Sequence, residues 1–202
     1  MKKYLLLILI GFLVTGCMAS FPAKYDPKFS MNPDLGKDQR IYATAKFENA
    51  FGKEVRDESL KLQVLVDKKI EDWGFSKDRA GKNLDITVKN VIEAGSMAGG
   101  IITGIICGLT LYVIPSIAVD HYRMTAVITQ EGKESVTRVY NGSITTYQQI
   151  FLTVWGLIAY PPKNAMYSAI DNMLDHLMND LAEDSKKAMM RQGLRFGLPG
   201  SS

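Results

Sequence analysis

From Met97 to Val119 the chain carries no charged residue, and an apolar stretch of that length seldom stays open to water. Whatever the chain folds into must cover this stretch with lipid, with another subunit or with its own core. Gly100, Gly104 and Gly108 recur within it at four-residue spacing. On a helix that spacing lines the glycines along one ridge, where another backbone can approach closely. Leu111 and Ile114 extend the apolar surface. A second uncharged run, Gln149 to Tyr160, holds Trp155 and Tyr160, ring types that settle at membrane–water interfaces.

Three arrangements satisfy the 97–119 stretch. It is long enough for a transmembrane helix, although one span would carry everything after Asp120 to the other side and part strands that look built to pair. As a glycine-rich hairpin or helix it can instead dip into lipid, aided by the second run. In the third arrangement it is a buried contact in a homo-oligomer, with the glycines allowing close packing. A core hairpin wholly buried by the chain itself would need a larger sheet than the remaining residues supply. Under each of the three, Gly100, Gly104, Gly108, Leu111, Ile114, Trp155 and Tyr160 are the residues expected to meet membrane or a partner.

The residues around the insert read as a small α+β domain over 40–190. Ile41, Ala43, Ala45 and Phe47 alternate with Tyr42, Thr44, Lys46 and Glu48, the pattern of a half-buried strand. A helix follows from about Asp57 to Trp73, with Leu62, Leu65, Val66, Ile70 and Trp73 on one stripe and Gly74 placed as a C-cap. Leu84, Ile86 and Val88 mark a second strand. From His121 to Gln149 the chain is again strand-like, with a hairpin turn at Glu131-Gly132-Lys133. Asn141-Gly142 fits either a second tight turn or a bulge. Pro161-Pro162 opens a final helix of about six turns, with Met166, Ile170, Met173, Leu174, Leu177, Met178 and Leu181 as its apolar stripe and Asp171, Asp175 and Asp180 on the outside. The order implies a small, mostly antiparallel sheet with two amphipathic helices on one face. The tail, 191–202, is rich in Gly, Pro and Ser and is expected to be flexible.

The chemistry of catalysis is sparse. His121 and His176 have no second His, Cys or acid at metal-ligand spacing, and His176 falls off the apolar stripe, toward solvent. No nucleophile motif, phosphate loop or Cys-x-x-Cys pair is present. Of the 2 cysteines, Cys107 sits among apolar residues, where a thiol is inert. The expectation is no catalytic residue, no metal and no cofactor. The formal charge of +3 falls to about +1 if Lys2 and Lys3 are removed with a leader, too little to favour nucleic acid.

Lys2 and Lys3 precede a short apolar run, Tyr4 to Val14, which ends in Val14-Thr15-Gly16-Cys17. Basic start, apolar run and small residues before a cut form a secretory signal. Val14-Thr15-Gly16-Cys17 resembles the lipobox of bacterial lipoproteins processed by the lipoprotein signal peptidase, with valine in place of the usual leucine. The resemblance covers the first tenth of the chain. It implies cleavage before Cys17, a diacylglycerol on the Cys17 sulfur and often a third acyl chain, such as palmitate, on its amino group. Residues 1–16 are then signal peptide. Met18, rather than aspartate, follows the cysteine and resembles the enteric signal for release to the outer membrane rather than retention at the inner one. Residues 17–39 lack periodicity and read as a lipidated tether.

Together these features lead to the expectation of a non-enzymatic, lipid-anchored module on the periplasmic side of the envelope. Its partner is membrane lipid, through the Cys17 acyl chains, and its insert docks it on the membrane or on an envelope complex. The alternative is a structural subunit of an oligomeric envelope or secretion assembly.

Overall fold

The computed structural model describes residues 18–22, 37, 39–110, 116–148 and 162–196. The chain runs β1 (Met18–Pro22), β2 (Arg40–Glu48), α1 (Arg56–Asp72), β3 (Ser76–Lys77), β4 (Lys82–Val91), α2 (Ala94–Leu109), β5 (Ser116–Thr129), β6 (Val136–Gln148) and α3 (Pro162–Phe196). Strand order is β1-β6-β5-β4-β2-β3. Two compact units emerge, one made of residues 1–25, 90–123 and 141–170, the other of 26–89, 124–140 and 171–202.

In the second unit β2 is parallel to both β3 and β4, whereas β1 and β6 are antiparallel. The sheet is thus mixed, not mostly antiparallel. The cause is α1. A hairpin reverses the chain, but a 17-residue helix between β2 and β4 returns it to the starting end, so the second strand runs the same way as the first.

Asp57 and Glu58 lie in the first turn of α1 and Lys69 in its last, each favoured by the helix dipole. Its end follows a Schellman pattern: the Phe75 amide donates to the Ile70 carbonyl at 2.9 Å and the Gly74 amide to Glu71 at 2.9 Å. Gly74 has φ 74°, a left-handed conformation that costs glycine nothing. The core gathers Ile41, Phe47, Leu62, Val66, Ile70, Trp73, Leu84, Ile86, Val88, Met124, Met173, Leu174 and Leu177, all buried.

The edge of β2 beyond the short β3 is closed by side chains. The Ala45 amide donates to Gln63 Oε1 at 2.8 Å, and Gln63 Nε2 donates to the Ala43 carbonyl at 3.1 Å. One glutamine thereby stands in for a neighbouring strand. The Phe47 amide donates to Ser59 Oγ, and the Val55 amide to the Phe47 carbonyl, both at 2.9 Å. These groups would otherwise be open to pairing with another chain.

The aspartates expected on the outside of α3 are instead engaged. Lys69 is buried, and its ammonium lies 2.7 Å from Asp175 and 3.0 Å from Asp171. Trp73 Nε1 donates to Asp175 at 3.2 Å. Arg138 on β6 forms ion pairs with Asp180 and Asp184, and the Tyr140 hydroxyl donates to Asp180 at 2.7 Å. The helix turns half-exposed acids toward the facing elements because these supply cations and donors, which satisfies the charges. It is also longer than six turns, with 35 residues, and takes in 191–196 of the expected tail.

The expected tether also begins differently. Residues 18–22 form β1 and pair with β6, from Met18 opposite Gln148 to Pro22 opposite Ile144.

Candidate membrane-facing surface

The first unit contains β1, the end of β6 and all of α2. α2 is unusual for a helix in water. Five of its 16 residues are glycine, each costing roughly 1 kcal/mol relative to alanine. Neither its first turn has an acid nor its last turn a base, so it lacks the charges that complement a helix dipole. In a medium without water, by contrast, backbone groups must pair internally and helix is the form that achieves it.

Ile101, Ile102, Ile105, Ile106 and Leu109 are all exposed, from 41% for Ile106 to 81% for Leu109. At about 100° per residue they fill one continuous arc roughly 140° wide. Gly100, Gly104 and Gly108 border that arc. A Cβ added at any of the three would meet nothing within 4 Å, so among the described residues no backbone lies against the glycine ridge. The remaining side of the helix carries Thr103, whose hydroxyl lies 2.9 Å from the Gly99 carbonyl and 3.2 Å from the carbonyl of Ile117 on β5. Ile92 and Ile117, in the same unit, are exposed as well.

The stretch from Met97 to Val119 is not one helix. α2 ends at Leu109, where Thr110 caps it through its own hydroxyl on the Ile106 carbonyl at 2.9 Å, and β5 begins at Ser116. Sixteen residues rise about 24 Å, short of a hydrocarbon core of about 30 Å. Among the described residues no helix is long and apolar enough to cross a membrane. The single-span arrangement is therefore corrected. The sequence left hairpin and helix open for this stretch, and its pattern did not mark where α2 ends, because the residues after Leu109 stay uncharged.

Val14, Thr15, Gly16, Cys17, Leu111, Ile114, Trp155 and Tyr160 lie outside the described residues. Their chain neighbours are informative. Met18, which follows Cys17, pairs with Gln148, which precedes the second uncharged run at Gln149.

No protein-family model matches this chain, and no curated protein does. Among solved structures, it is similar to the crystal structure of rare lipoprotein B from Shewanella oneidensis, at 10% identity, covering 79% of this chain and 100% of that one, with a TM-score of 0.29. Overlap so slight transfers no residue roles, and the functional reading rests on this chain's own residues.

Elsewhere the chemistry is dispersed. His121 Nε2 lies 3.6 Å from the Glu93 carboxylate. His176, expected in solvent, is half-buried, with its Nε2 enclosed. Among the described residues no three His, Cys, Asp or Glu side chains form a group that could hold a metal ion. The second unit has a cleft of about 790 Å³ lined by Arg40, Lys82, Lys133, Glu131, Glu134 and Asp184, among others. Burial pushes the Lys82 ammonium below the ordinary lysine range, Lys133 adds to this and Asp184 opposes it. Three cations and three anions line it, so its formal charges balance.

Proposed function

We propose that this chain is a lipid-anchored envelope protein without an enzymatic role, docked on the bilayer surface by α2. The observation that carries the reading is the uncharged arc of Ile101, Ile102, Ile105, Ile106 and Leu109, exposed on a helix too short to span. Such an apolar arc is covered when the helix lies in the headgroup and acyl boundary with the arc inward, and α2, which carries no charge of its own, would be held there by the buried apolar area alone. The Val14-Thr15-Gly16-Cys17 signal supports acylation at Cys17, and Met18 supports the outer rather than the inner membrane. Trp155 and Tyr160 extend the contact.

A chain beginning at Met18 tests the docking. Lacking acyl chains, it should still float with phospholipid vesicles as a monomer. The second reading is a subunit of an envelope assembly, with Gly100, Gly104 and Gly108 at the subunit contact, and the open glycine ridge favours it. Gly104→Leu separates the two. Leucine fits into open space on the free chain and leaves shallow insertion intact, whereas it blocks close helix packing. A detergent-stable ring lost on Gly104→Leu, with no flotation of the chain from Met18, would replace docking by assembly.

A further inference from the structure

We propose that β1 clamps the lipid anchor to the folded unit, so that the Cys17 acyl chains and α2 enter the same leaflet, an inference that rests on the docking reading above. With a free tether of about 22 residues, the root-mean-square reach would be about 25 Å and α2 could address a facing membrane or a distant partner. The chain does not leave that slack. β1 starts one residue after Cys17 and holds five consecutive pairs with β6, so a single peptide bond joins the strand to the residue proposed to be lipidated.

The position of α2 follows from the same register. β5 and β6 are neighbours in the sheet, and the short link between them makes them antiparallel. Arg123 Nε donates across the pair to Asn141 Oδ1 at 3.3 Å. β5 starts at Ser116 and β6 ends at Gln148, so the start of β5, with Ile117, lies toward the end of β6 that carries Tyr147, and Tyr147 pairs with Ala19. Ile117 is the residue whose carbonyl lies against Thr103 of α2. Ala19, Tyr147 and Ile117 thus lie on three adjacent strands, whose neighbours are about 4.8 Å apart. The start of β1 and the strand residue that α2 touches lie toward one end of these strands, all within one compact unit.

Two attachments at such spacing act as one. Once the acyl chains are inserted, α2 is presented to the same leaflet at high effective concentration and cannot turn away without breaking β1 from β6. The protein then stands on its membrane in one orientation and does not bridge two membranes.

The test uses the full-length acylated protein in vesicles of phosphatidylethanolamine and phosphatidylglycerol, with Cys107→Ser throughout. In one variant, Ala19→Cys with Tyr147→Cys, a disulfide should form in the membrane-bound protein. In another, Ile105→Cys carries a fluorophore, and a lipid-borne quencher is placed either in the host vesicles or in added ones. Quenching by host lipid alone, together with the disulfide, supports the clamp. Quenching by the added vesicles overturns the same-leaflet inference while leaving docking in place. Failure to form the disulfide overturns the clamp. A fluorophore quenched by neither lipid removes the docking reading and this inference with it.

Discussion

Ile105→Asp separates the folding of α2 from its contact with lipid. Ile105 is 58% exposed and sits near the middle of the aliphatic arc. Burying an isoleucine fully contributes roughly 1.5–3 kcal/mol, so covering the exposed part contributes about 1–1.5 kcal/mol. An aspartate at the centre of a spanning helix costs about 2.5–3.5 kcal/mol, and a helix lying at the interface incurs about half of that. The sum, about 2–3 kcal/mol, corresponds to about thirty- to a hundred-and-fortyfold weaker partitioning. The folded chain barely registers the change, since an exposed substitution shifts stability by about 0.5 kcal/mol. Flotation of the chain beginning at Met18 measures the partitioning, and thermal melting measures the fold. Val64→Asp is the control, because Val64 is 70% exposed on α1 in the other unit and should leave binding unchanged. Equal flotation of the parent and Ile105→Asp chains, or equal loss in both variants, would refute the assignment of α2 as the lipid-facing element.

Other substitutions probe the frame that holds this surface. Asp175→Ala removes the 2.7 Å partner of buried Lys69 and the acceptor of Trp73 Nε1; with Asp171 retained, the loss should be about 3 kcal/mol, seen as a fall in Tm of roughly 6–12 °C, and Asp175→Asn should lose less. Gly81→Ala should destabilise by about 3 kcal/mol or fail to fold, because a Cβ there would stand 2.0 Å from the Arg40 carbonyl oxygen; a soluble Gly81→Ala protein with unchanged Tm would contradict the close approach of β4 to β2. Stability should also decline at high pH. Burial first, then the charge of Asp120, push the Tyr122 hydroxyl up to about 12 against an opposing hydrogen bond with Asn90. Above pH 10 the unfolded chain ionises this group while the fold keeps it neutral, so its contribution of roughly 2–3 kcal/mol is lost as pH climbs toward 12. Lys69 acts in the same direction: burial opposes its charge, but the hydrogen bonds and charges of Asp175 and Asp171 outweigh burial, so its contribution is intact below 10.5 and is lost as pH rises through the raised value. Urea midpoints from pH 8 to 11 should fall for the parent and fall less for Tyr122→Phe.

The parts of the fold legible in the sequence are those set by local rules. Alternation placed Ile41, Ala43 and Phe47 on one face of β2 and Leu84, Ile86 and Val88 on one face of β4, and Gly74 marked the end of α1. The hairpin turn closes where Glu131-Gly132-Lys133 stands, with the Lys133 amide on the Gln130 carbonyl at 3.0 Å. What required long-range pairing was not legible. Nothing local in Met-Ala-Ser-Phe-Pro distinguishes β1 from a linker, since its strand character comes from the exposed edge of β6, more than a hundred residues away. Asp175 looks like a solvent residue on its own helix and becomes a core partner only because Lys69 and Trp73 face it across 106 and 102 residues. Gln63, a surface residue by its type, substitutes for a strand through backbone groups that no periodicity reveals.

The same division explains the candidate surface. Absence of charge from Met97 to Val119 identified a stretch that must be covered, but composition alone does not distinguish a span from a dip. α2 stops at Leu109 and β5 starts at Ser116, so the 97–119 stretch is not a single spanning helix. With a single span over 97–119 removed, the five exposed aliphatic residues still need a cover, and Cys17, the proposed site of acylation, directly precedes a strand of the same unit. Acylated there as proposed, the chain would have the receiving bilayer within reach of α2. Burying the exposed part of five such side chains gives on the order of 5 kcal/mol, comparable to the contribution of several methylenes of an acyl chain. A single acyl chain holds a protein only marginally. A helix and acyl chains inserted together would hold it firmly, and would also fix which face of the protein looks away from the membrane.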